Sequence, residues 1–349
     1  MRNVTNRFGK GTLYEAKDLG RNVYCLCTAC MSVWSDFLSW ANEEKELQMR
    51  EFHDKPSYTT DTIVVLGCQV TDLAVLNDLR AAEELHEKFP NTPIYMGGCL
   101  AQRFDIELPN WLGRLDVART MYQEIKDKSL VDWQKPFWVE DLEADYDMLQ
   151  PGNLFRNFYP LKIGAGCHGK CKYCTIRDTR GDSYTTCAYG QEKEFRAHEN
   201  VVLVSDSPTV QQIKDWCNIA EMVSKQISFR NVEPHIANVC FDDFERLADK
   251  HLIKILHCPI QSYNIQVLQA MNRDVESTLK FVENAQILRL MGVLVATNII
   301  IDYVVDGELV HNMDEDWLNE NFDYWSWNPY FDGNWDRKKA EERFTKYIK

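Results

Sequence analysis

Twelve cysteines in 349 residues are the first chemistry-bearing feature of this chain. Six fall in two close sets, Cys25/Cys27/Cys30 and Cys167/Cys171/Cys174, while Cys68, Cys99, Cys187, Cys217, Cys240 and Cys258 stand alone. The amino terminus, MRNVTNRFGKGTLYEAK, is polar and lacks the apolar core of a signal peptide. No run of about 18 apolar residues is present either, so a cytoplasmic protein with no membrane span is expected. In a reducing compartment thiols stay unpaired, and metal or redox chemistry becomes the leading use for clustered ones. Cys167-His168-Gly169-Lys170-Cys171-Lys172-Tyr173-Cys174 gives CxxxCxxC directly after a predicted strand. Three thiolates on one tight loop can hold three irons of a [4Fe–4S] cube and leave the fourth open to chelate a small molecule; an electron-transfer cluster normally takes four cysteines. Spacing alone also allows a zinc site with His168 as the fourth ligand.

Such groups must be positioned by elements whose ends meet. Asn22–Cys27 reads as a strand, and Thr62–Gly67 as a stronger one, a continuous apolar run ended by glycine. Residues 72–89 have helical spacing, with Leu73, Leu76, Leu79 and Ala82 inward; Pro90 stops the helix, and Thr92–Gly98 follows as the next strand. Strand–helix–strand at this spacing implies a parallel α/β sheet. Cys68 and Cys99 each follow the last residue of such a strand, and Cys27 and Cys30 lie at and just past the end of the first. In an open parallel sheet the carboxyl ends of neighbouring strands border one crevice, so three strand-end cysteines converge although far apart in sequence. Cys25 shares the strand face of Cys27, as packing or a spare ligand; Cys187, Cys217, Cys240 and Cys258 read as small apolar residues.

A stretch without clear periodicity, about 133–158, marks a domain boundary. A second α/β series follows, with strands at Leu161–Ile163, Asn200–Val204, Ile253–Leu256 and Val293–Ile301 and helices over 208–226 and 276–291. Repeated βα units are what a complete or partial barrel requires. The expected organisation is therefore an N-terminal α/β domain over 1–150, a partial (β/α) barrel over 151–310, and an acidic, aromatic-rich tail over 311–349. That tail carries Trp317, Phe322, Tyr324, Trp325, Trp327, Tyr330, Phe331 and Trp335. Its rings can stack on bases or pack over the barrel mouth. The chain's net charge is −14, with no global field to draw in nucleic acid, so any RNA contact needs a local basic patch.

The run Ile163–Cys167 through Cys174-Thr175-Ile176-Arg177-Asp178-Thr179-Arg180-Gly181 resembles the signature of the radical S-adenosylmethionine methylthiotransferases, with Tyr173 as the aromatic before the third cysteine. His257–Ser262 and Val267–Arg273 resemble that family's H-x-P-[IVL]-Q-S and V-L-x-x-M-x-R segments, in the right order. In the amino-terminal half, Asp61–Cys68 and Met96–Arg103 resemble its D-x-[IV]-[IV]-x-x-x-C and G-C-x-A-Q-R elements. Cys30 followed by Asp36 fits the C-x₅-D spacing best, with Cys27 as competitor. The resemblance covers most of residues 20–305.

It implies two [4Fe–4S] clusters. One, on Cys167, Cys171 and Cys174, would bind and cleave S-adenosylmethionine to a 5′-deoxyadenosyl radical that removes hydrogen from an unactivated carbon. A second, on Cys30, Cys68 and Cys99, would carry the sulfur delivered as CH₃S. Tyr173, Arg180 and Arg273 would then contact the cofactor. Arg180 and Gln261 would serve catalysis near the nucleoside; a structural ion pair or hydrogen bond is the alternative for each. The implied substrate is tRNA, at the anticodon stem-loop adenosine (N6-isopentenyladenosine), with Lys162, Lys170, Lys172, Arg177 and Arg180 supplying the basic patch. A ribosomal-protein aspartate is the alternative substrate, and a non-catalytic metal-binding, RNA-associated protein the alternative class. A reducing electron donor is a required partner. Departures from the family are Tyr263 in place of a glycine, the loss of Gly-Phe-Pro around Tyr303–Glu308, no glycine over 198–206, and no basic RNA-binding barrel at the end.

Overall fold

The computed structural model describes residues 1–117, 154–155, 157–180 and 183–347. The chain forms two compact units: Met1–Gly152 with Asp178–Gly181 and Gly333–Lys349, and Asn153–Arg177 with Asp182–Asp332.

Unit 1 opens with an antiparallel hairpin, β1 (Arg2–Asn6) and β2 (Gly9–Leu13). Strands β3 (Asn22–Cys27), β4 (Glu51–His53), β5 (Thr62–Gly67), β6 (Ile94–Gly98) and β7 (Leu112–Arg114) then form a five-stranded sheet, ordered β4-β3-β5-β6-β7 and parallel throughout. Both faces are buried, which is why β3 and β5 read as nearly continuous apolar runs. Val23, Cys25, Cys27, Val64 and Leu66 pack beside Trp34, Phe37 and Trp40 of the helix Met31–Glu46. On the other face Tyr24, Leu26, Ile63 and Val65 pack beside Val75, Leu79 and Leu85 of the helix Asp72–Lys88. That helix begins where expected because the Thr71 side chain accepts the Ala74 amide, a capping bond of 3.0 Å.

Unit 2 is a second parallel sheet. Its strands are β8 (Tyr159–Lys162), the two-residue β9 (Gly164–Ala165) and β10 (Tyr184–Thr185), β11 (Val201–Val204), β12 (Ile227–Phe229), β13 (Ile253–His257), β14 (Leu294–Ile301), the hairpin β15 (Tyr303–Val305) and β16 (Glu308–Val310), and β17 (Tyr324–Pro329). The main sheet runs β8-β11-β12-β13-β14-β17, every neighbouring pair parallel. Helices Val210–Met222, Phe241–Asp249 and Val275–Leu290 follow β11, β12 and β13. Sequential parallel strands with a helix between them are the order of a (β/α) barrel, here with six strands. The α/β class and the partial barrel are as expected.

The carboxyl-terminal stretch differs from its expectation as an acidic aromatic tail. Tyr324–Pro329 is the sixth strand of the main sheet among the described residues, paired with β14 from Ala296 to Ile301, and its rings Tyr324, Trp325 and Trp327 sit half-buried. Gly333–Lys349 belongs to unit 1 instead. There Arg337 grips Glu83 through two bonds of 2.5 and 2.7 Å, Arg343 pairs with buried Asp72 at 2.6 Å, and Trp335 packs on the sheet's core. The proposed boundary near 133–158 lies mostly outside the described residues. Among those described, no helix is long and apolar enough to cross a membrane.

At the end of β13, His257 is fully enclosed. Its Nδ1 accepts the Asn231 amide at 3.2 Å, which leaves the Nε2 proton to donate to Asn298 Oδ1. Burial, reinforced by the Arg230 cation, lowers its pKa from 6.5 to about 3. The unfolded chain therefore takes up a proton below pH 6.5 that the native chain refuses. Stability rests on the neutral ring and falls as pH drops from 6.5 towards 3. Between pH 7 and pH 5 this one residue should cost about 2 kcal/mol. Urea unfolding at the two pH values should read that loss, and His257→Gln should flatten it.

Candidate metal centres

In unit 2 the Cys167–Cys174 loop leaves the sheet just past β9 and ends at the turn of helix opened by Ile176. Gly166 takes φ +79°, a left-handed value that favours glycine, and donates its amide to Asp206 Oδ2 at 2.7 Å, turning the chain into the loop. All three thiols are half-buried, and those of Cys167 and Cys171 both act electrostatically on Cys174. Burial pushes the Cys174 thiol up to about 12, so its thiolate there needs a cation. The Gly169 amide donates to Cys167 Sγ at 3.1 Å, and a Cβ on Gly169 would stand 3.0 Å from that sulfur and 4.0 Å from Cys171 Sγ. Glycine here keeps a side chain out of the space beside two sulfurs.

The turn after the helix Ile265–Ala270 braces this loop. Met271 O accepts the Lys172 amide at 3.1 Å, and Asn272 Nδ2 donates to Lys170 O at 3.0 Å. Arg273 reaches Cys171 Sγ at 3.8 Å and Pro259 O at 2.8 Å. The M-x-R segment thus places a cation beside a thiol. Tyr173 packs with Val267, Met271, Ile300 and Tyr303, an apolar wall to the loop. Gln261 continues the line of β13 as a bridge to Ile299 of β14 with φ +69°, a left-handed conformation uncommon for glutamine. One residue absent from the sequence reading is Glu233. Its Oε1 lies 3.9 Å from Cys167 Sγ and accepts from Ser207 Oγ at 2.9 Å. Its only sequence signal was Pro234, which marks a helix start immediately after a barrel strand.

In unit 1, Cys30 caps the helix Met31–Glu46, Cys68 follows β5 and Cys99 follows β6. These are the carboxyl ends of three adjacent strands, β3, β5 and β6. The Cys68 thiol feels those of Cys30 and Cys99, and burial raises it well above its ordinary value. Cys25 and Cys27 share the buried face of β3, as alternation along the strand requires, and lie in one buried cluster with Cys68, Cys99, Trp34 and Phe37, against which Cys30 packs. Gly98, at φ +72°, has Gly67 O 2.7 Å from where a Cβ would be, so only glycine lets β6 approach β5 just before Cys99. A cavity of about 440 Å³ opens beside Cys99, lined also by Arg2, Asn6, Asp36, Gln102 and Arg180.

Arg180 belongs to unit 1 and pairs with Asp36 at 2.6 Å, both nearly enclosed. The structural alternative for Arg180, an ion pair, is therefore what the fold contains. Lys162 is also buried, which leaves Lys170, Lys172 and Arg177 as the exposed members of the expected basic patch. His168 is exposed, and among the described residues no three His, Cys, Asp or Glu side chains converge tightly enough for a single metal ion.

No family profile matches the chain. It is 25% identical over 276 residues to the ribosomal protein uS12 methylthiotransferase RimO of Stenotrophomonas maltophilia, covering 68% of this chain and 57% of that protein. To the tRNA-2-methylthio-N(6)-dimethylallyladenosine synthase of Aquifex aeolicus it is 23% identical over 280 residues, covering 71% and 62%. The chain thus spans about three fifths of the length of these curated relatives. Among solved structures, the radical S-adenosylmethionine methyltransferase TsrM of Kitasatospora setae aligns with a TM-score of 0.48 at 10% identity, covering 82% of this chain and 68% of that one. By sequence, the chain is a relative of the radical S-adenosylmethionine methylthiotransferases.

Proposed function

We propose that the chain is a methylthiotransferase with one [4Fe–4S] cluster on Cys167, Cys171 and Cys174 and a second on Cys30, Cys68 and Cys99. The observation that carries this reading is the convergence of Cys30, Cys68 and Cys99 at three adjacent strand ends, in a chain that also holds a three-cysteine loop at the head of a second parallel sheet. When bound, the clusters supply the electron that cleaves S-adenosylmethionine and the sulfur that is transferred. Overall, a C–H bond becomes C–S–CH₃. The hydrogen leaves on 5′-deoxyadenosine, the methyl comes from a second S-adenosylmethionine, and an external reductant supplies electrons.

The chain's own residues hold and shield. The Gly169 amide and Arg273 offset charge on the sulfurs of Cys167 and Cys171. Tyr173 and its apolar neighbours keep water from one side of the loop. Gln261, at the end of the β13 line, presents an amide for the nucleoside of the cofactor. Arg180 acts through Asp36, on the helix that Cys30 caps. Cys30→Ala should lower bound iron by about four per chain, one cube's worth. Cys27→Ala should leave iron unchanged, and iron analysis of the two variants checks the assignment.

For the target, a ribosomal-protein aspartate is at least as well supported as C2 of a modified tRNA adenosine. The relatives include enzymes named for each, and burial of Lys162 and Arg180 thins the basic surface that RNA needs. Expression in a bacterium deleted for both of its own methylthiotransferases tests this. Mass spectrometry of tRNA nucleosides and of uS12 peptides should find one methylthio product. Its absence from both, with iron-loaded protein present, would overturn the reading.

A further inference from the structure

We infer that Arg103 is the positioning residue of the cysteine site in unit 1, an inference that rests on the cluster reading above. Arg103 stands four residues after Cys99, past the short turn Leu100–Gln102, and its side chain is completely enclosed. A buried guanidinium is tolerated only when its donors are used and its charge is matched. Here Nε and one terminal nitrogen grip Asp105 at 2.8 and 2.6 Å, and Phe8 of the amino-terminal hairpin covers the cation at 4.5 Å. Another bond, 3.1 Å long, goes to Gln69 Oε1, on the residue next to Cys68. A last one, 2.6 Å, goes to the carbonyl of Gly333.

Gln69 is itself buried, and its amide nitrogen donates to Thr179 Oγ1 at 3.3 Å. Thr179 adjoins Arg180, which pairs with Asp36 on the helix capped by Cys30. Two sets of polar contacts, joined by the Thr179–Arg180 backbone, therefore touch the neighbourhood of all three thiols: Arg103 after Cys99 and Gln69 after Cys68 in one, and Asp36 after Cys30 in the other. None of these groups is a ligand. A planar guanidinium with donors fixed in a fork suits this task, because it holds several acceptors in one geometry, which a flexible ammonium does not. The role of Arg103 is to fix the spacing of Cys68 and Cys99 so that a rigid cube fits without rearrangement.

The test uses the full chain with Cys167, Cys171 and Cys174 all changed to alanine, so that only the unit 1 site can hold iron. Reconstituted without oxygen, this parent should bind about four irons per chain. Into it are placed Arg103→Lys, Gln69→Leu, which cuts the link but leaves the Arg103–Asp105 pair, and Gln69→Glu, which keeps an acceptor for Arg103. Arg103→Lys and Gln69→Leu should release iron to a chelator about 10–100-fold faster than the parent, with an altered electron paramagnetic resonance spectrum of the reduced cluster. Gln69→Glu should behave as the parent. Iron release and spectra unchanged in Gln69→Leu would overturn the inference, and that variant decides if Arg103→Lys does not fold. A parent that binds no iron would overturn the cluster reading itself, and the two failures are separated by that first measurement.

Discussion

Changing Cys167, Cys171 and Cys174 together to alanine is expected to abolish product formation and to remove about four irons, while the other cube remains. The loop is braced from outside itself by Asn272 and Arg273, so the fold should survive. Changing Cys30, Cys68 and Cys99 to alanine should also abolish methylthio product, but with a different signature. Reductive cleavage of S-adenosylmethionine to 5′-deoxyadenosine should persist, because the loop that supports it is intact. Chromatography of small-molecule products beside iron analysis separates the two triple variants. Equal loss of cleavage in both would contradict a division of labour between the sites.

The second large effect concerns stability. Asp36 and Arg180 are 5% and 7% exposed, so neither charge has much water to fall back on. Asp36→Ala would remove the ion-pair partner of the buried Arg180 cation and should cost about 3–5 kcal/mol. That is a large part of the 5–15 kcal/mol that typically holds a domain together. Replacing both partners at once with apolar residues of similar size, as in Asp36→Leu with Arg180→Met, should recover most of that loss. Denaturant melts of the two single variants and the double variant would measure the coupling. If the double variant falls as far as the sum of the singles, the pair contributes nothing as a pair.

Much of this architecture could be read from residue order. Short β-rich runs located β3, β5 and β6 to within a residue or two, and the cysteines at or just past their ends had to share a crevice once the sheet was parallel. The choice between Cys27 and Cys30 was harder. Cys27 shares one buried cluster with Cys68 and Cys99, and the turn into the helix brings Cys30 against it, where it acts on the Cys68 thiol. What stayed hidden depends on tertiary packing. Ile227–Phe229 is too short for any periodicity to register, yet it holds the centre of the barrel sheet. Tyr324–Pro329 is rich in rings and flanked by acids, with no clean alternation, so it read as a tail until β14 supplied a partner. Nothing near Arg180 in sequence foretells Asp36, nor does any pattern around Lys162 say that it is buried. Charge counts therefore overstated the basic surface.

The return of Gly333–Lys349 to the first unit has a consequence for how the polypeptide is made. Arg103 waits for the Gly333 carbonyl, Glu83 for Arg337 and Asp72 for Arg343, partners separated by 230 to 271 residues. The barrel is thus an insertion inside the unit that precedes it. A ribosome must emit all of the barrel before the first sheet can acquire its last helix. Contacts this distant in sequence are slow to close, and domains ordinarily mature from the amino terminus during synthesis. Here the first-made half is completed only after the barrel, so Arg103, Glu83 and Asp72 stand without these partners while the barrel is being made.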